Sequence, residues 1–456
     1  MKQYDLGSGN IRSLTIKLCL PTCLAQGVMV LYSIVDRMFI GHIQGIGDLA
    51  LAGVGVAAPL TTLITSFAVL VGLGGSPLMA MKEGHKEHNK AEEILTAALF
   101  MLLFFSLILT PLLFFFRKPL LLLFGASNIT IEYANAYFGW YVLGTPFALL
   151  STGLNSFLIG QGESRRAMSS VLTGAILNII LDPIFIFTLG LGVSGGAIAT
   201  VISQIASTII TITGLLRRHA LIRLSIRRVE SKIYSKISIM GLSPFIINAT
   251  DNLLLLLLNS MLQKYGGADM GDIYLTAATI IQSYYLLCMN PLGGITGGSQ
   301  GVISFNYGAG KCERVTKAFH TIQIMAVLYT IFMTMVTYAF GEYFIRFFTS
   351  DSSIIPLTLR YMKIFTLMII PQAFHYTNVD TLTALGQVRL SLPLSLFRKF
   401  IFFIACISLP AFMGAGGAFL SEPVSDLLAA VVSTIVMYSS LPKILKKRKE
   451  RGLITL

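Results

Sequence analysis

Apolar runs of 20 or more residues recur from one end of this 456-residue chain to the other. Each is long enough to cross a hydrocarbon core of roughly 30 Å as a helix. The chain therefore reads as an all-α polytopic membrane protein. Charged residues make up 12% of it and hydrophobic residues 54%, whereas soluble domains are about a quarter charged. No stretch remains that would fold as a separate soluble domain. The net charge of +13 would suggest nucleic acid in a soluble protein. Here it sits in short connections between apolar runs, so the expected partner is the membrane surface, with no nucleic acid. The N-terminal segment lacks a cleavage-site pattern and leads into a span containing Pro21, so the first span is expected to be retained.

Twelve spans are predicted, near 14–40, 50–80, 93–116, 131–160, 166–188, 194–216, 237–263, 272–305, 318–341, 356–386, 391–412 and 417–441. Lys and Arg concentrate at both termini and in the connections after even-numbered spans, which by the positive-inside rule are cytoplasmic. The richest basic stretch, residues 217–236, reads as an interfacial amphipathic linker whose apolar residues face lipid and whose arginines meet anionic headgroups. It divides the chain into residues 1–216, spans 1 to 6, and 237–456, spans 7 to 12 with a basic tail.

The halves repeat with an offset near 225. GGSPLMA at 74–80 corresponds to GGSQGVI at 297–303, IGQGESR at 159–165 to LGQVRLS at 385–391, and Pro21 to Pro244. Six spans separate the copies, so both have the same topology and the pseudo-two-fold axis runs along the membrane normal. Two six-helix bundles are expected to face each other across a central cleft. The repeat retains glycines, prolines and small residues, which let helices approach or bend. It does not retain acids: Asp36 falls opposite Asn259, and Asp182 opposite Ser408 or Leu409.

The stretch from Leu177 to Phe187, LNIILDPIFIF, places an amide and a carboxylate inside an apolar span. Asn178 and Asp182 are four residues apart and share one helical face. Pro183 removes a backbone donor and deprives the Ile179 carbonyl of its partner, so the helix is expected to kink there. An amide oxygen, a carboxylate and a freed carbonyl suit a hard cation or a proton. An ionised carboxylate at mid-membrane costs at least roughly 2.5–3.5 kcal/mol on insertion scales, which marks Asp182 as a functional candidate. The alternatives are a helix-bending acid at Asp182, an interfacial ion pair of Asp36 with Arg37, and a purely interhelical hydrogen bond at Asn178.

In the second half, Asp251 and Asp380 also interrupt apolar sequence. Asp380 lies in a polar patch from His375 to Thr381 that is expected to face a water-filled cavity, with Asn155 as its repeat partner. Tyr137, Tyr284 and Tyr285, with many Met and Phe residues, would build an adaptable cavity for organic cations, although lipid-facing packing accounts for most of them. The five cysteines have no metal-ligand spacing with histidine and read as buried packing residues. No P-loop appears, so ATP is not the direct energy source, and no motif of a membrane hydrolase is present.

Twelve spans in two parallel repeats, Pro21 and Asp36 in the first span, NIILDPIFIF in the fifth, and the segments ALAGVGVAAP and GLGVSGGAIAT resemble multidrug and toxic compound extrusion (MATE) transporters across essentially the whole chain. The resemblance implies the MATE fold with N- and C-lobes, and the pair Asp36 and Asp182 resembles the prokaryotic branch with DinF- and MepA-type members. It implies that Asp36, Asn178, Asp182 and Thr200 form a cation and proton site, possible for Na⁺, with Tyr137 and Asn155 in the same cavity. Asp251 and Asp380 are similar in type to a second branch's C-lobe carboxylates. The implied function is not enzymatic: a monomeric secondary antiporter in the inner (plasma) membrane, both termini cytoplasmic. It would export organic, cationic small molecules in exchange for Na⁺ or H⁺ by alternating access, with no cofactor. Pro21 and Pro183 are the helix-bending positions. The alternative is a flippase for a lipid-linked precursor.

Overall fold

The computed structural model describes residues 5–126, 128–217, 220–348 and 354–454. Among the described residues there are helices and no strand. The first half contains α1 (Ile11–Gly41), α2 (Gly47–Gly84), α3 (His88–Leu123), α4 (Thr130–Leu143), α5 (Thr145–Gly160), α6 (Ser164–Pro183) and α7 (Gly192–Leu216). The second contains α8 (Ser231–Gly298), α9 (Gln300–Gly308), α10 (Cys312–Phe348), α11 (Ile354–Leu367), α12 (Ile369–Ala384), α13 (Val388–Met413) and α14 (Ser421–Ile454). Asn10 starts α1 by accepting the backbone N–H groups of Arg12 and Ser13 on its side-chain oxygen.

Among the described residues, ten helical stretches are long and apolar enough to cross a membrane, and α4 with α5, bent by 58°, makes an eleventh. The remaining stretch begins after Gly267, which breaks α8 with a φ of 66°, and runs to Gly308. It completes the twelve expected spans and is richer in Ser, Thr, Asn and Gln. The disruption expected at Pro183 takes the form of a π-helical turn, Ile184–Thr188, while Pro21 sits inside an uninterrupted α1.

Backbone hydrogen bonding fixes the repeat's register. Gly162 donates to Ile159 O and Glu163 to Leu158 O; Gly386 donates to Thr383 O and Gln387 to Leu382 O. The same turn recurs at Lys86 and Gly310, each with a positive φ. Such turns satisfy the last carbonyls of a helix, and they need a left-handed residue after it. These matches set an offset of 224, so Asp380 lies opposite Ser156, one residue from the expected Asn155. Likewise Gly386 matches Gly162, two residues beyond the expected Gly160. Identical dipeptides misled the alignment, whereas the turn geometry does not.

One large apolar core is built from the first half, reaching Ile237, and a second from Leu258 to Phe419. A third joins the start of α1 to α9, α10, α12 and α14. The two halves meet where glycine admits backbone against backbone, near the basic ends of the helices. A Cβ on Gly241 would lie 1.9 Å from the Leu70 carbonyl oxygen, and one on Gly84 would lie 2.1 Å from that of Phe305. Small residues at helix contacts are the expected glue in a bilayer.

The linker departs from expectation. Residues 220–230 are not helical, and Ile222 and Leu224 are buried in the first-half core instead of facing lipid. The Ile222 N–H donates to Gln161 Oε1, and Thr96 Oγ1 donates to the Ser225 carbonyl. Protein groups thus satisfy this backbone where a peripheral helix would have satisfied itself. Arg218 and His219 lie outside the described residues.

Candidate functional site

The first-half site is assembled where α1, α6 and α7 pack together. Asp36 on α1 and Asp182 and Asn178 on α6 are all buried. The spacing of four on α6 does what the sequence suggests: Asn178 Nδ2 donates to Asp182 Oδ1 at 3.2 Å, and also to Thr200 Oγ1 on α7 at 3.4 Å. The Asp36 and Asp182 carboxyls are in hydrogen-bond contact. Gly196 backs Asp36: a Cβ there would sit 3.6 Å from Asp36 Oδ1. Tyr137 on α4 reaches Thr200 and stacks on Tyr141 at 6.3 Å between ring centroids.

Two carboxyl groups in contact inside low dielectric cannot both remain bare anions, so a proton or a cation must lie with them. Arg37, the nearest base in sequence, is exposed and makes no ion pair with Asp36 among the described residues. Three buried oxygens, Asp36 Oδ1, Asn178 Oδ1 and Asp182 Oδ2, have no hydrogen-bond partner among the described residues. Unpartnered buried oxygens are costly, and a small hard cation takes oxygen ligands of this kind. The donor set therefore fits a proton or a monovalent ion. Among the described residues no group of three or more His, Cys, Asp and Glu comes together as a multivalent metal site would need.

The four expected cavity residues each have their own partners. Tyr137 belongs to the cluster just described. Asn155 on α5 is buried and donates its amide to the Ala167 carbonyl at 3.1 Å. Asp380 on α12 is partly exposed and has the side chains of Thr296 and Gln300 beside it. His375 of the same patch is buried, its Nδ1 3.3 Å from the Ala429 carbonyl. Asp251 on α8 is paired with Lys399 on α13, and its side chain is 53% exposed.

That pair belongs to a network the sequence reading missed. Buried Arg398 donates from Nε to Asp426 Oδ1 at 2.8 Å and from Nη2 to Glu422, while the Tyr285 hydroxyl donates to Glu422 Oε1 at 2.7 Å. The second half thus holds intramembrane acids beyond Asp251 and Asp380, at positions not aligned with Asp36 or Asp182. Three of its acids, Asp251, Glu422 and Asp426, differ in having basic partners. The signal was the pair Arg398 and Lys399 inside the predicted 391–412 span, which required buried carboxylates elsewhere; Glu422 and Asp426, four apart on one helix face, supply them.

A family model, MatE, matches residues 21–184 and again 244–407, one match per half. The chain belongs to the MatE family. Its members are transporters, and this chain is a multi-pass membrane transporter of that family. The MatE chain is 23% identical over 423 residues to the multidrug export protein MepA of Staphylococcus aureus (strain NCTC 8325 / PS 47), covering 92% of each. Among solved structures it superposes with a TM-score of 0.90, at 21% identity, on the outward-facing conformation of a multidrug resistance MATE family transporter of the MOP superfamily, covering 98% of this chain and 100% of that one. The straight conformation of a MATE gives 0.90 at 22% identity, with 98% and 100% covered. These likenesses carry the twelve-helix, two-lobe MatE fold.

Proposed function

We propose that this MatE transporter is a secondary antiporter that exports organic, cationic small molecules in exchange for Na⁺ or H⁺. The observation that carries the reading is the buried pair Asp36 and Asp182 with no basic partner. Its charge is balanced only by something that comes from outside the chain, which is what a coupling site requires. Asn178 and Thr200 complete the ion site and Tyr137 borders it. MepA, a multidrug export protein by name, supports the small-molecule class.

Coupling follows from competition. A proton or Na⁺ entering the first-half site neutralises Asp36 and Asp182. A substrate cation draws on the same negative charge, so each ligand weakens the other. The two global states are the outward-open and inward-open arrangements of the lobes, and each ligand shifts their balance only through its differential affinity. Close backbone contact between the halves near the basic ends supports an arrangement closed on that side. Bending of α1 about Pro21 would let Asp36 approach or leave α6, and the π turn after Pro183 gives α6 a second soft point. Of the cavity candidates, Asp251 is the exposed acid and the first contact for an arriving cation; Asn155 and Asp380 act through their neighbours. The basic side is the cytoplasmic side of the plasma membrane, and the protein works as a monomer.

A flippase for a lipid-linked anion would need excess positive charge in the cleft. Against Arg398 and Lys399 stand Asp251, Glu422 and Asp426, which argues for cations. The test uses protein reconstituted in vesicles with an imposed Na⁺ or H⁺ gradient. Adding a cationic dye should release the coupled ion, and Asp182→Asn should abolish that release. Gradient-dependent export by both Asp36→Asn and Asp182→Asn proteins would sink the reading.

A further inference from the structure

A cavity lies at the basic ends of α6 and α7. It measures about 230 Å³ and is lined by Arg166, Ser169, Ile210, Thr213, Gly214 and Arg217. We infer that this cavity binds the phosphodiester of an anionic phospholipid in the leaflet on the basic side of the membrane.

The charges fit such a ligand. Arg166 is ion-paired with Glu163, and Arg217 also acts electrostatically on Glu163. Two guanidinium groups against one carboxylate leave a single positive charge, which one phosphodiester balances. Guanidinium is the group best suited to a phosphate, because its planar fork meets two oxygens at once. Gly214 makes the room: a Cβ there would lie 2.7 Å from Arg166 Cδ.

The surroundings indicate a lipid and not a free anion. Ile209 and Leu216 on α7 and Ile176 on α6 are exposed, and an apolar shoulder of this kind faces acyl chains. From Arg166 to Ile176 is ten residues, roughly 15 Å along a helix toward the membrane centre. The hydroxyls narrow the headgroup further. Ser169 donates its proton to the Arg166 carbonyl, and Thr213 donates to the Ile209 and Ile210 carbonyls. Both oxygens are left as acceptors, so they favour a headgroup that carries hydroxyl donors, such as glycerol, over a bare phosphate.

Short-chain phosphatidylglycerol, phosphatidylcholine and inorganic phosphate would each be titrated into the purified, detergent-solubilised protein, with binding followed by thermal shift and native mass spectrometry. Phosphatidylglycerol should bind saturably, and Arg217→Gln, a change at an exposed residue, should weaken it about tenfold, the worth of one charge-assisted contact. Gly214→Leu should weaken it by filling the cavity. Because Arg166→Gln strands Glu163, the double variant Glu163→Gln with Arg166→Gln is the folded control, and it too should bind weakly. Equal binding of phosphatidylcholine, saturation by inorganic phosphate at similar concentration, or unchanged phosphatidylglycerol binding by Arg217→Gln would each overturn the assignment.

Discussion

The two halves share a backbone plan and treat buried acids in opposite ways. In the first half, Asp36 and Asp182 touch each other and form no ion pair with a base among the described residues, and three oxygens of the cluster have no hydrogen-bond partner among them. In the second, Asp426, Glu422 and Asp251 are matched by Arg398 and Lys399. Most of the negative charge there is balanced inside the protein, with three carboxylates against two bases. An uncompensated pair stays costly until a cation arrives. The two copies of one backbone plan thus differ in whether buried acids have bases beside them, which is the difference expected between the proposed coupling site and a network that holds helices together.

The strongest way to break that contrast is to remove the uncompensated charge. Asp182→Asn should lose the whole coupling, on the order of 5–150-fold in gradient-driven uptake ratio, with little loss of folding; vesicle transport with and without the gradient measures it. Next comes the compensated side. Arg398→Met leaves Glu422 and Asp426 buried without a cation and should destabilise the protein by about 3–5 kcal/mol, read as thermal unfolding in detergent. Combining it with Glu422→Gln and Asp426→Asn should restore most of that stability, and failure of the rescue would show that Arg398 does more than balance charge.

Smaller effects sharpen the comparison at its boundary. Lys399→Met frees half-exposed Asp251 and should tighten equilibrium binding of a cationic dye about two- to fivefold, the worth of an exposed ion pair. Unchanged or weaker binding would remove Asp251 from the substrate path. The smallest effect belongs to the surface. Hydrogen bonds from Lys90 and Lys82 hold the Glu87 carboxyl below the ordinary carboxylate range. A folded value depressed in this way adds stability above the unfolded value near pH 4.3, and that stability is lost as pH falls further. Glu87→Gln should therefore flatten the acid limb of unfolding slightly while leaving export untouched.

The spans, their number and the special face of α6 were legible in the sequence because each is local. Apolar length sets a span, and spacing of four sets a face. The amide of Asn178 bonding the carboxyl of Asp182 is such a local event. The meeting of Asp36 with Asp182 was reachable only through family resemblance, since 146 positions separate them in the chain. The Arg398 network was missed because a basic pair inside one span identifies no partner until helices are packed. The linker was misread for a related reason: an amphipathic pattern is the same whether its apolar side meets lipid or protein.

The sequence by itself determined a membrane-embedded, duplicated bundle, its basic side, and an acid in mid-span that demanded explanation. Tertiary structure decided which acids have company. Charge compensation in low dielectric is a matter of a few ångströms between helices far apart in the chain, and no pattern along one strand of residues encodes that distance.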